Sequence, residues 1–130
     1  MTVIENTRTG EVVEFRAETP HVLVMDVTWT RPGHRAVEHL HPEMEERFEI
    51  LSGQAQFLVD EKEIAATEGD VVVVPPGTRH VAWNASDDQV HLRIEMRPAL
   101  RWREFTTRLF AGEDPEVLLK EFEREVRLSS

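Results

Sequence analysis

Short runs rich in β-branched and aromatic residues dominate roughly the first hundred positions of the chain. Turn sequences separate them, namely RPGH, EGD, PPGT and NASDD, in which glycine, proline, asparagine and aspartate interrupt regular structure. The predicted strands are EVVEF (11–15), HVLVMDVTWT (21–30), RFEILSG (47–53), QAQFLVD (54–60), DVVVVP (70–75), HVAWN (80–84) and QVHLRIEM (89–96). Because short strands at this spacing are typical of an antiparallel sandwich or barrel, we predict an all-β unit over residues 1–98.

The apolar residues change to a helical spacing after Pro98. The sequences ALRWREFTTRLF (99–110) and EDPEVLLKEFEREVRL (113–128) both repeat large apolar residues at helical intervals. In the second run, Asp114 is a suitable N-cap and Pro115 a suitable first helical residue. We therefore predict a pair of α-helices in residues 99–130, forming an extension packed on the barrel or on a partner subunit.

The composition narrows the chemistry and the partners. A length of 130 residues suits a single domain, and the net charge of −10 disfavours nucleic acid and anionic membranes as partners. Because the chain has no cysteine, disulfides, thiolate nucleophiles and zinc–thiolate sites are excluded. No apolar run is long enough to span a bilayer, and the first residues lack the pattern of a signal peptide, so we expect a cytoplasmic protein.

Histidines and one carboxylate suggest a metal site. On a strand, alternate side chains share a face, so His39 and His41 would point the same way and could bind one ion. Glu46 begins an otherwise apolar face, where a bound cation would compensate the cost of burying it; Glu45 is the alternative. His80 begins the strand after PPGT and, if that strand lies nearby, would complete a set of three nitrogens and one oxygen.

Both regions also fit ordered motifs. Residues 33–53 have the spacing G-x5-H-x-H-x4-E-x6-G, and residues 69–84 have the spacing G-x5-PPG-x2-H-x3-N. These resemble the two signatures of the cupin superfamily, and the likeness plausibly extends over about residues 12–96. The resemblance implies a double-stranded β-helix, the jelly-roll cupin barrel, here followed by the C-terminal pair of α-helices.

The resemblance also assigns the metal ligands. The family's ligand positions correspond to His39, His41, Glu46 and His80, and only Glu46, not Glu45, has the required six residues before Gly53. Nitrogen and oxygen ligation without sulfur fits one divalent transition metal, with Fe, Mn, Ni, Co and Zn all open.

Some neighbours of the ligands are predicted to form a substrate pocket. Phe48, Ile50 and Ala82 share strand faces with Glu46 or His80, so they would line the pocket if the ligands point inward. His91 belongs to an alternating polar set with Arg93 and Glu95, which faces either solvent or the cavity. We include His91 in the predicted pocket.

Three functions are compatible with this site. The first is a metal-dependent dioxygenase or related oxidoreductase acting on a small chelating substrate, such as an enolate, catecholate or diketone, with Glu46 as general base. The second keeps the metal but not the oxygen, as in isomerisation, decarboxylation or carbon–carbon hydrolysis, so a requirement for dioxygen separates the two. The third is a non-catalytic module that binds metal or a small molecule. Because small cupins commonly pair, we also expect a homodimer.

Overall fold

The computed structural model describes residues 2–33 and 36–128 of the chain. The elements in chain order are β1 Val3–Asn6, β2 Glu11–Thr19, β3 Val22–Trp29, β4 His39–Leu40, β5 Glu45–Ser52, β6 Gln54–Val59, β7 Lys62–Thr67, β8 Val71–Val74, β9 His80–Asn84, β10 Val90–Arg97, α1 Trp102–Phe110, α2 Pro115–Glu121 and β11 Arg127–Leu128. The predicted all-β unit followed by two helices is confirmed. None of the described helices is both long and apolar enough to cross a membrane.

The strands form two antiparallel sheets with the core between them. One sheet has the order β1-β2-β3-β10-β5-β8, and the other has the order β11-β4-β9-β6-β7. Alternation decides which side chains face inward: on β10, Leu92, Ile94 and Met96 are buried whereas His91, Arg93 and Glu95 are not. Each large apolar side chain that is fully buried stabilises the fold by about 1.5 to 3 kcal/mol relative to exposure.

Gly53 forms the sharp turn between β5 and β6, where the chain passes from one sheet to the other. Its φ of +91° lies in the left-handed region. A Cβ atom at this position would lie 2.5 Å from the backbone oxygen of Gln89, so the turn also needs the absence of a side chain.

The C-terminal segment, residues 99–128, differs from the prediction in one respect. The second helix begins at Pro115, with the Asp114 carboxylate accepting the Glu116 N–H as predicted, but it ends at Glu121. The expectation of helix up to residue 128 is therefore wrong: the chain turns and continues as β11, which pairs antiparallel with β4. The apolar spacing fits a helix that ends at residue 121 as well as one that ends at residue 128. The apolar side chains beyond residue 121 would face a partner if they were helical, but here they fill a core.

Tertiary contacts explain where the helix stops. Phe105 of α1, Leu118 of α2, and Phe122 and Val126 beyond it form a small buried cluster. The Glu125 side chain is only 1% exposed, and its carboxylate accepts the backbone N–H of Arg101 at 3.2 Å. These contacts draw residues 122–126 towards the barrel and place β11 beside β4.

Candidate metal centre

The four predicted ligands meet at one point of the barrel. His39 lies on β4 and pairs in register with His80, the first residue of β9, whereas Glu46 faces inward from β5. The ligand atoms of His39, His41, Glu46 and His80 all lie within 4.8 Å of one another. The His41 carbonyl accepts the Gly77 N–H at 2.8 Å, so the PPG turn fixes the position of His41 beside β9.

Backbone carbonyls set the orientation of all three imidazoles. The Nδ1 atoms of His39, His41 and His80 lie 2.9, 2.8 and 2.9 Å from the carbonyl oxygens of Val37, Glu125 and Thr78, respectively. A carbonyl only accepts hydrogen bonds, so each Nδ1 carries a proton and donates it. In a neutral ring this leaves the lone pair on Nε2, and that is the tautomer a metal requires.

The contacts of Glu46 fit a cation at the centre of this cluster. Its Oε1 atom lies 3.0 Å from Nε2 of His41 and 3.0 Å from Nε2 of His80. A carboxylate and neutral Nε2 atoms are all acceptors, so only a shared proton or a metal ion makes these contacts favourable. Three imidazole nitrogens and one carboxylate oxygen suit a divalent transition metal and leave it a net charge of about +1. The residues present therefore fit such an ion.

The pKa values of the cluster residues are shifted by burial and by one another. Burial raises the pKa of Glu46, but hydrogen bonds and positive charge from His41 and His80 outweigh it and hold that pKa well below its usual value. Burial, with the charges of His41 and His80, lowers the pKa of His39 to about 4. Burial also lowers the pKa of His80, yet its hydrogen bond to Glu46 raises it overall. Because a metal needs neutral imidazoles and an ionised carboxylate, metal binding would release any proton that these groups hold.

The C-terminal segment supports the site without contributing a ligand. The carbonyl that receives the His41 Nδ1–H belongs to Glu125, just before β11. The ring of Trp102, at the start of α1, lies edge-on to the His41 ring with 4.8 Å between centroids. Neither contact can be predicted from the sequence, because a backbone carbonyl has no residue signature and Trp102 fits an ordinary helix face.

A cavity of about 360 Å³ lies against the ligands. Phe48 and Ala82 line it as predicted, beside His39, Glu46 and His80. Most of the wall is apolar, and it comes from two sources: barrel residues Val13, Met25, Val27 and Ile94, and C-terminal residues Trp102, Phe105, Leu109 and Phe110.

Two predicted pocket residues lie elsewhere. Ile50 is 1% exposed and packs in the barrel core, because it lies one step further along β5 than Phe48 and is not part of the cavity wall. His91 is exposed on the outer face of β10, where its Nδ1 lies 3.1 Å from Thr28 Oγ1. The neighbouring Leu92 takes the inward position, so the prediction that His91 faces the cavity is wrong.

Glu11 is a cavity residue that the sequence reasoning missed. It begins β2 on the same face as the buried Val13 and Phe15, and its Oε2 accepts the Trp29 Nε1–H at 3.0 Å. Burial and the charge of Glu46 raise its pKa, and the hydrogen bond from Trp29 only partly offsets them. A carboxylate on an otherwise apolar strand face is the signal that singled out Glu46, and EVVEF carries it too.

Comparisons with known proteins agree with this geometry. The family described as "Cupin domain" matches residues 30–96. Among solved structures, KdgF from Halomonas sp. is 18% identical, with a TM-score of 0.63 over 75% of this chain and 94% of that one. An RmlC-like cupin from Shewanella frigidimarina is 20% identical, with a TM-score of 0.66 over 75% and 84%.

A third structure also covers the C-terminal segment. The nucleoside dehydratase Pac13 is 16% identical, with a TM-score of 0.66 over 98% of this chain and 83% of that one; a Streptomyces variant of it was solved with uridine. A search of curated protein sequences finds no match. Both motifs, the paired sheets and the family match lead to one conclusion: the chain belongs to the cupin family.

Proposed function

We propose that this cupin is a metal-dependent enzyme acting on a small organic substrate that binds the metal through oxygen. The observation that carries the proposal is the convergence of His39, His41, Glu46 and His80 beside a mainly apolar cavity. Bound there, a divalent ion of Fe, Mn, Ni, Co or Zn would supply Lewis acidity and, for a redox-active metal, oxygen chemistry.

The protein's own residues have separate tasks. The three histidines and Glu46 hold the ion, and the carbonyls behind the histidines fix their tautomers. Phe48, Ala82 and the aromatic residues of the C-terminal segment enclose the organic body of the substrate and exclude water. Glu46 was also predicted to act as general base; its low pKa makes it a weak one, so we propose the ligand role first.

We propose a dioxygenase or related oxidoreductase as the first reaction class. The apolar cavity wall supports it, because dioxygen is apolar and water would compete for a reactive substrate. The second class, isomerisation, decarboxylation or carbon–carbon hydrolysis without oxygen, is supported by Glu11. Burial raises the pKa of this second carboxyl on the cavity wall, and a carboxyl that keeps its proton more readily can act as a general acid.

Turnover with and without oxygen separates these classes. The protein loaded with Fe(II), Mn(II), Ni(II) or Co(II) is mixed with simple catechols and β-diketones, and oxygen uptake and product formation are recorded in air and under argon. The first class predicts uptake that needs both the metal and His80, and product only in air. Product under argon as well would favour the second class. Metal bound without any reaction would favour a non-catalytic binding module.

We also propose a homodimer. The helix faces do not need a partner, because Phe105, Leu118 and Phe122 are buried by their own chain. The support lies instead on β8, an edge strand, where Val71 and Val73 are 45% and 46% exposed on its outer face. Light scattering of the purified protein tests this, with a Val73→Lys variant expected to shift it to monomer. A cytoplasmic location stays a prediction.

A further inference from the structure

Glu11 is placed where a purely structural carboxylate is difficult to explain. It lies on the inward face of β2, in register with Trp29 of β3, and both side chains line the cavity that contains the metal ligands. The side chain is half-buried, and even partial removal of a carboxylate from water is costly unless hydrogen bonds or charges compensate it. An aliphatic residue here would extend the apolar face formed by Val13 and Phe15 at no such cost.

The hydrogen bond from Trp29 satisfies only one of the two carboxyl oxygens of Glu11. The indole N–H reaches Oε2 at 3.0 Å, and a neutral amide would satisfy it equally well. Among residues 2–33 and 36–128, the side-chain hydrogen bond to this carboxyl is the one from Trp29, and it goes to Oε2. Trp29 therefore fixes the carboxyl in one orientation and leaves one oxygen for another molecule in the cavity.

We infer that Glu11 binds a hydroxyl group of the substrate, at the end of the molecule opposite to the oxygen atoms that face the metal centre. This deepens the proposed function and rests on it. The ligand class is a small hydroxylated compound with a chelating oxygen pair and a compact apolar or aromatic body. A cavity of about 360 Å³ suits a molecule of this size.

A hydroxyl fits the surroundings better than a charged group does. The walls between Glu11 and the ligands are apolar, with Val13, Val27 and Phe48 among them, so an ammonium would lose its hydration without sufficient compensation. A hydroxyl both donates and accepts, and it can therefore pair with Glu11 in either protonation state.

Two matched chelators test the inference. Kojic acid and allomaltol bind divalent metals through the same oxygen pair and differ only in carrying a hydroxymethyl or a methyl group. Their dissociation constants for the Co(II)-loaded protein are measured by calorimetry and by the visible spectrum of cobalt. The wild type is expected to prefer kojic acid by about tenfold, as one hydrogen bond to a charged or partly charged group provides.

Variants of Glu11 must remove this preference and no other property. Glu11→Ala and Glu11→Met are expected to bind both chelators equally, while Glu11→Gln, which can still hydrogen-bond a hydroxyl, recovers part of the preference. Glu11→Met fills the space and serves if the alanine variant does not fold. Glu14→Ala is the control: Glu14 lies on the same strand but faces outward towards Arg16, so the preference should persist.

The outcomes separate this inference from the proposed function, because cobalt content is measured in every sample. Protein that holds no cobalt would refute the proposed function. If cobalt is bound but neither chelator binds, the wild type shows no preference, or the preference survives in Glu11→Met, the role of Glu11 is wrong while the metal site stands.

Discussion

The barrel and the C-terminal segment, residues 99–128, contribute to the candidate metal centre in different ways. The barrel supplies every candidate ligand, from β4, β5, β9 and the turn after β4. The segment supplies the carbonyl of Glu125 and the ring of Trp102, both of which contact His41. It also provides much of the apolar cavity wall. A ligand requires a particular side chain, whereas a supporting carbonyl requires only a backbone in the right place.

The segment is therefore part of the candidate site, because it contacts His41 and lines the cavity. Partners that orient a ligating histidine commonly change metal affinity by about 10- to 100-fold when they are lost. Damage to the segment should therefore appear at the metal, although no ligand is touched. Equal damage to the barrel far from the ligands should not.

Two buried leucines, one in each region, should give the largest losses of unfolding free energy. Leu118 in the segment and Leu92 in the barrel are both 0% exposed. Substituting either with alanine should lower the free energy of unfolding by about 2 to 5 kcal/mol, as measured by denaturant unfolding. Only Leu118→Ala should also weaken metal binding, because it loosens the packing that positions Glu125. Equal metal affinity in the two variants would contradict this distinction.

Substitutions at two glycines compare a turn of the barrel with a turn of the C-terminal segment. Gly53 and Gly112 have φ values of +91° and +95°, but only at Gly53 would an added Cβ meet backbone, at 2.5 Å from Gln89 O. Gly53→Ala should therefore cost about 2 to 3 kcal/mol of unfolding free energy, and Gly112→Ala about 1 kcal/mol. Thermal and denaturant unfolding measure the stability of both variants. A larger loss for Gly112→Ala than for Gly53→Ala would contradict the steric argument for the barrel turn.

Trp102 tests the direct contact between the segment and a ligand. Trp102→Ala removes the ring beside His41 and should weaken metal binding by about tenfold, measured by competition with a chelator of known affinity. Trp83→Ala is the control, because Trp83 alternates with the cavity residue Ala82 along β9 and points away from the cavity. A similar loss in both variants would remove Trp102 from the supporting role.

The smallest effect concerns pH in the metal-free protein. The pKa of His39 is lowered from 6.5 to about 4, so the unfolded chain binds a proton between these values that the folded chain does not. Stability from this residue is complete above pH 6.5 and is lost as the pH falls towards 4. Between pH 7 and about pH 5.5, the unfolding free energy of His39→Gln should therefore fall by about 1 kcal/mol less than that of the wild type. An equal loss in both would contradict the shift.

Sequence patterns predicted most of the fold and the convergence of His39, His41, Glu46 and His80 for a common physical reason. Inward and outward positions alternate on strands, and the ligands occupy fixed spacings around turns that need glycine and proline. The same reasoning failed where partners decide the outcome. Alternation could not tell that His91 faces outward, and helical spacing extended α2 beyond Glu121 because the pairing of β11 with β4 depends on tertiary contacts. The alternation pattern also places Glu11 on the inward face of β2, although the predicted pocket did not include it.

The metal content of the purified protein shows whether the three histidines and Glu46 form a metal site. Untagged wild type, His80→Ala and His91→Ala are purified without chelators and analysed for Fe, Mn, Ni, Co and Zn. The wild type and His91→Ala, whose histidine is exposed on the outer face of β10, should each carry about one equivalent, and His80→Ala should lose it. Equal metal in all three, or none in the wild type even after incubation with each metal, would contradict the assignment of His39, His41, Glu46 and His80 as one metal centre.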